Sequence, residues 1–265
     1  MSYSTLKMEH TGAIFTIILS RPERRNAISR QMMDELLTAL EEAQSAGARV
    51  VILTGAGKAF CAGMDLEDLR SIATQPFEQH MEDARRMADF FYSIYSYPLP
   101  LIAAVNGAAI AGGTGIATLA DFTLAIPGAQ FGYTEVRIGF LPAVVSIFLR
   151  RQVGDKRARD LLLSARIFHT EEAHAMGLVT RIVPAEILLA HARELAESLV
   201  AWSPTSMANS KRLLRQFQEP EIRRELDMAV TESAAIRETA DFREGLSAFL
   251  EKRTPQWSKS VSGHK

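Results

Sequence analysis

Apolar positions along this chain recur in two periods, and the alternation of those periods predicts its architecture. Ile14–Leu19, Val50–Leu53 and Leu101–Val105 are short, unbroken apolar runs rich in β-branched residues, the pattern of strands covered on both faces. Between them Met32, Leu36, Leu40 and Ala43 recur at helical spacing, with Ile28 continuing the row. Ser29 is placed to cap that helix and Gly47 to end it near Ala46. A second amphipathic stretch, 76–95, carries Phe77, Met81, Ala84, Met87, Phe91 and Ile94 on one stripe, and Thr74-Gln75-Pro76 breaks the chain before it. Val144–Gln152 and Lys156–Leu163 read as helices. Thr170 reads as the cap of a short helix, Glu171–Met176, that Gly177 stops. Leu178–Val183 is the last predicted strand, ended by Pro184. Beyond Ala185 every segment is helical: 185–201, 204–217, 220–236 and 240–252. The fold class is therefore α/β, and the shift to all-helical composition puts a boundary near residue 195, between a core of 1–195 and a helical region of 196–265.

Composition narrows the function without naming it. The chain has 265 residues, 47% hydrophobic and 23% charged, with a net charge of -1, so a strongly basic face for duplex nucleic acid is not expected. One cysteine excludes an internal disulfide framework and suits a reducing, cytoplasmic setting. The start, MSYSTLKMEHTG, has no basic-then-apolar leader pattern. Residues 90–120 carry no charge, but Pro98, Pro100, Asn106 and four glycines divide them into helix end, strand, turn and helix rather than a membrane span.

Two glycine-bearing turns hold the candidate chemistry. In Phe60-Cys61-Ala62-Gly63-Met64-Asp65-Leu66 a strand end meets a helix start, where backbone N–H groups lack intrahelical partners and lie at the positive end of the helix. Small residues there let a ligand approach the backbone; the same pattern also describes an ordinary turn that needs glycine for positive φ. Ala111-Gly112-Gly113 repeats the arrangement after the strand 101–105. Two such turns could present two donors to one oxygen, the support that an enolate needs when a thioester loses its α-proton. Gly55-x-Gly57 lacks the spacing of a dinucleotide fingerprint and the Lys-Ser/Thr ending of a P-loop. No G-x-S-x-G elbow is present. His10, His80, His169, His174, His191 and His264 are scattered, and no metal site is expected. Cys61 has no local histidine to activate it and reads as packing. Asp65 and Asp121 read as structural caps. Glu135, taken alone, is a loop glutamate of the kind that is usually just exposed.

Taken in order, R-P-E-R-R-N-A-I, A-F-C-A-G-M-D-L, V-N-G-A-A-I-A-G-G, A-D-F-T-L-A, A-Q-F-G-Y-T-E-V-R-I-G-F-L-P, A-M-G-L-V and F-R-E-G-L-S-A-F-L-E-K-R resemble the crotonase (enoyl-CoA hydratase/isomerase) superfamily over nearly the whole chain. The resemblance implies a spiral core of ββα turns, a C-terminal helical oligomerisation region that builds a homotrimer or a dimer of trimers, and an acyl-CoA substrate. It implies no separate cofactor, since the CoA thioester is itself the substrate. It assigns an oxyanion hole to the N–H groups of Met64 and Gly112 and counts Gly113 among the substrate- and CoA-binding residues. It places CoA against Arg24, Arg25 and Ala27 and the backbone of Ala62, Asp65 and Leu66, with Lys252, Arg253 or Phe249 reaching a neighbour's CoA. The stripe at 77–94 becomes either core or the wall of an acyl pocket.

Family hydratases place two glutamates around one water. The second position is Glu135; the first maps to Gly115, so this chain has lost that carboxylate. The segment Thr134–Val144 is similar to that of 3-methylglutaconyl-CoA hydratase-type members, which also have glycine at the first position. Arg137 is read as a solvated or structural arginine; turned inward, it would pair a substrate carboxylate. One carboxylate can serve as base and then acid. Hydration of an enoyl-CoA is the leading expectation. Δ3,Δ2-enoyl-CoA isomerisation and a catalytically idle CoA-binding subunit are the alternatives.

Overall fold

In the computed structural model, which describes residues 3–72 and 74–258, each turn of the chain lays one strand in a large sheet and the next in a small one. The strands are β1 (Leu6–Thr11), β2 (Ile14–Leu19), β3 (Val50–Gly55), β4 (Ala59–Cys61), β5 (Leu101–Val105), β6 (Ala108–Ile110), β7 (Phe122–Ala125), β8 (Gln130–Gly132), β9 (Phe168–His169) and β10 (Arg181–Ile182). The large sheet runs β1-β2-β3-β5-β7-β10 and the small one β4-β6-β8-β9. Only the pairs β1–β2 and β8–β9 are antiparallel. Parallel neighbours need crossovers, and α1 (Arg30–Ser45), α2 (Leu66–Ile72), α3 (Phe77–Ser96) and α4 (Gly112–Leu119) supply them. The repeated strand–strand–helix step is the spiral expected from the sequence.

The unbroken apolar runs are explained by two-sided burial. Val51, Leu53, Ala103 and Val105 point into the main core between the sheets. Val50, Ile52, Ile102 and Ala104 point the other way and meet Leu188, Ala192, Leu195 and Ala196. Those last four belong to one helix, numbered in the series α5 (Ala143–Val153), α6 (Asp155–Ser164), α7 (Thr170–Ala175), α8 (Leu188–Val200), α9 (Pro204–Gln216), α10 (Glu219–Ile236) and α11 (Ala240–Glu251). Residue 195, the expected boundary, falls inside α8, whose apolar face covers the sheet, so the helices that leave the sheet begin after Val200. Residues 259–265 of the expected helical region, His264 among them, lie outside those described.

Local expectations need four corrections. Ile28 precedes α1 and forms a bridge with Met64, its burial coming from that contact. On α3 the buried residues include Ala88 and Phe90, whereas Phe77 is exposed. Thr170 does not cap α7. Its hydroxyl donates to the carbonyls of Ile126 and Ala129, so the helix starts at Thr170 and His169 takes the cap position. The last strand is two residues long because the amides of Leu178 and Val179 are spent on Ala173 at the end of α7. Ser29 caps α1 through its hydroxyl, and Asp121 accepts from the Leu101 amide and Lys211, both as structural roles.

Candidate active site

The two glycine-bearing turns sit side by side because β4 and β6 are parallel neighbours in the small sheet. Gly63 has φ +91°, and a Cβ there would lie 3.1 Å from the Ala111 methyl and 3.1 Å from the Ile110 carbonyl oxygen. Glycine is required on both counts. Ala111 itself holds φ 51°, a strained conformation for a residue with a Cβ. The first turn is also held from outside. Ile28 donates to the Gly63 carbonyl and its own carbonyl accepts from Asp65. Buried Asn26 donates to the Ala56 and Ala59 carbonyls. Asp65 accepts from the Glu67 amide as a cap and pairs with Arg21 at 2.8 Å. Among the described residues, neither the Met64 N–H nor the Gly112 N–H has an acceptor. Both residues line a cavity of about 550 Å³.

Glu135 enters the same cavity from the opposite direction. β8 pairs with β6, and the chain then turns through a short 3-10 segment, Glu135–Ile138, that ends at Gly139 with φ +67°. That turn is clamped by α11: a Cβ on Gly139 would fall 2.4 Å from the Asp241 carbonyl oxygen, and one on Gly245 would fall 2.4 Å from the Ile138 carbonyl carbon. Close backbone packing thus fixes where the carboxylate emerges. Glu135 Oε2 is buried and has no hydrogen-bond partner. Burial pushes its pKa up to about 7, opposed only by a hydrogen bond from its own backbone. A carboxylate of that kind can take and return a proton near neutral pH.

The space beside Gly115, where the family resemblance places the first glutamate position, is filled. A Cβ at Gly115 would lie 2.7 Å from Val145 Cγ1 and 2.9 Å from Phe91 Cε1. Met87, Phe91 and Val145 all line the cavity, so part of the α3 stripe is both core and pocket wall.

Of the residues expected at the site, the cavity brings together Ala62, Met64, Gly112 and Glu135. Gly113 is turned away: a Cβ there would strike the Cys61 carbonyl oxygen at 2.2 Å. Arg24, Arg25, Leu66 and Lys252 are exposed outside the cavity, Arg24 pairing with Glu67, while Ala27 and Asp65 are buried beneath that surface. Phe249 and Arg253, expected toward a neighbour, line this chain's own cavity. Cys61 is fully buried and its thiol is pushed up to about 12, in keeping with packing. Arg137 is exposed at the cavity lining. Arg237 was not singled out by sequence, yet it lines the cavity while only 3% exposed. Its signal was present: it continues the row Ile222, Leu226, Val230 and Ser233 on the apolar face of α10.

A spiral of strand–strand–helix turns that offers two free backbone donors and one buried carboxylate to a single apolar cavity defines an acyl-transfer or enolate-forming class of enzyme. The Enoyl-CoA hydratase/isomerase family pattern matches residues 9–260, and the chain belongs to that family. It is 42% identical over 247 residues to a putative enoyl-CoA hydratase of Thermus thermophilus, covering 93% of this chain and 98% of that one. It is 31% identical to the 2,3-dehydroadipyl-CoA hydratase of Escherichia coli, covering 96% and 98%. The crystal structure of an enoyl-CoA hydratase/isomerase from Pseudoalteromonas atlantica superposes with a TM-score of 0.86 at 30% identity, over 96% of this chain and all of that one. The protein is an enzyme of acyl-CoA hydratase/isomerase type. Among the described residues no helix is long and apolar enough to cross a membrane.

Proposed function

We propose that the enzyme adds water reversibly to the double bond of an α,β-unsaturated acyl-CoA, with Glu135 as its one acid–base group. The observation that carries this reading is the Glu135 carboxylate, one oxygen of which is buried without a partner among the described residues, in the cavity that Met64 and Gly112 line. The thioester oxygen accepts from the Met64 and Gly112 N–H groups. Glu135 removes a proton from water as the oxygen of that water bonds to the β-carbon. The electron pair of the double bond moves onto the thioester as an enolate. The same proton then passes from Glu135 to the α-carbon. Backbone groups hold the water where other hydratases use a second glutamate. CoA lies on the exposed surface at Arg24, Arg25 and Leu66, and no separate cofactor takes part.

The filled space at Gly115 favours a second reading, Δ3,Δ2-isomerisation, in which Glu135 moves a proton between the α- and γ-carbons and no water is needed. Three thioesters separate the readings. Loss of conjugated-thioester absorbance with crotonyl-CoA or 3-methylglutaconyl-CoA supports hydration; gain of it with a 3-enoyl-CoA and no loss with the others overturns hydration for isomerisation. An idle subunit would do neither. The Thr134–Val144 segment and the relative named for 2,3-dehydroadipyl-CoA support a carboxylated acyl group.

Self-association into trimers is part of the proposal. Leu213, Leu214 and Phe217 on and just after α9 are 51%, 65% and 70% exposed, a large apolar patch on a helix with no buried residue of its own. A monomer by light scattering at micromolar concentration would remove it.

A further inference from the structure

Arg237 is a cation held in a nearly dry place with half of its guanidinium idle. Its side chain is 2% exposed. Nη1 donates a long 3.4 Å hydrogen bond to the His80 carbonyl and stands 3.9 Å from Asp83. Asp83 is already engaged at 2.8 Å by Arg30. One carboxylate between two guanidiniums leaves a positive charge uncompensated. Nε is buried without a partner among the described residues, and the hydrogen bond and ion pair that Arg237 makes there both use Nη1, not Nη2. The Nε–Nη2 edge is the edge with which arginine grips a carboxylate in two parallel bonds. Burial also lowers the guanidinium toward about 10, the mark of a charge short of a counter-ion.

What retains the group is modest. It sits at the C-terminal end of α10, where a cation is favoured, and 5.4 Å over the ring of Phe140. Neither contact uses the open edge. Arg237 and Ser233, one helical turn apart, both line the cavity that holds Glu135. The other two arginines at that cavity differ. Arg253 is committed to Glu244 at 2.6 Å and to Glu251 at 2.7 Å. Arg137 is exposed, where water weakens any ion pair.

We propose that Arg237 is the specificity-determining residue of the acyl pocket, and that the acyl group it selects carries a carboxylate at the end remote from the thioester. The inference rests on the acyl-CoA reading above but not on hydration itself. The carboxylate would accept from the Nε–Nη2 edge and supply the missing negative charge, with the Ser233 hydroxyl as a further donor. A neutral chain of the same length would leave the guanidinium unpaired.

Saturated thioesters test this without turnover. Adipyl-CoA and hexanoyl-CoA, then glutaryl-CoA and pentanoyl-CoA, are titrated calorimetrically into the full-length protein, and the affinity ratio within each pair is read. At least one dicarboxylyl member should bind about tenfold to a hundredfold more tightly, the range of a charge-assisted pair. In Arg237→Met the ratio should fall to about one. Should that variant fail to fold by circular dichroism, Arg237→Gln is read in the same way. Arg137→Met should keep the ratio. The proposal is overturned if wild type prefers the uncharged chain in both pairs, if the neutral Arg237 variant keeps the preference, or if Arg137→Met abolishes it. Failure of hydration would show in the absorbance assay and leave these ratios readable.

Discussion

Two flanks of the cavity, the 3-10 segment after β8 and the helix α4, have opposite contents. On the β8 flank a carboxylate is buried with an unpartnered oxygen, which stable folds avoid. On the α4 flank Gly115 carries no side chain, and Val145 and Phe91 occupy the space beside it. The first flank sacrifices stability for a group that can change its charge. The second is ordinary close packing of Val145 and Phe91 against Gly115. Among the described residues Glu135 is the one carboxylate that lines the cavity, and each prediction below acts on one flank.

The largest effect belongs to Glu135→Gln. The amide keeps the shape and removes proton transfer, so kcat/KM should fall by about 10²–10⁴, the usual contribution of a general acid–base group. In wild type, hydration needs the carboxylate, so kcat/KM should rise as pH passes through about 7. That limb should be missing in Glu135→Gln. A variant that keeps both rate and limb would transfer the proton chemistry to another residue.

How much of this was legible beforehand differs between the flanks for physical reasons. The spiral, the donors expected at Met64 and Gly112 and the role expected of Glu135 come from the ordered family motifs, whereas the strand runs follow from local pattern, the period of the apolar positions. The filling of Gly115 did not, because Phe91 on α3 and Val145 on α5 reach it from 24 and 30 residues away along the chain. Arg237 escaped for a different reason. It continues the apolar row Ile222, Leu226, Val230 and Ser233 of α10, but a lone arginine at the end of such a row is read as solvated. Gly113, expected among the binding residues, belongs instead to the packing of α4 on Cys61. Lys252 and Leu66 stay at the surface, where sequence resemblance says more about them than the shape of the cavity does.

The second effect is thermodynamic and concerns the same carboxylate. Its pKa is raised from 4.5 to about 7 on folding. The native state therefore holds this proton more tightly than the unfolded chain does. The stabilising contribution is complete below about pH 4.5 and is lost as pH rises through about 7. The difference amounts to about 3 kcal/mol. Glu135→Gln, which does not titrate, should accordingly gain on wild type by up to about 3 kcal/mol at pH 8 and by nothing comparable at pH 4. Urea unfolding of both proteins at the two pH values measures this. A pH-independent difference would mean that the carboxylate ionises in the folded state as freely as in water.

The smallest effect tests whether the α4 flank can accept what family hydratases have there. Gly115→Glu must push aside Val145 Cγ1, 2.7 Å from the new Cβ, and the edge of Phe91 at 2.9 Å. Overpacking of this kind costs about 1–3 kcal/mol, readable as a lower urea midpoint. Val145→Ala removes the nearer obstacle, so Gly115→Glu/Val145→Ala should recover part of the loss that Gly115→Glu suffers alone. The two changes touch, and their energies should not add. If the double variant is less stable than the sum of the singles, Val145 is not what closes the site against a second glutamate. The closure would then lie with Phe91, which α3 holds through a buried face, and the missing carboxylate would be fixed by the core rather than by one replaceable neighbour.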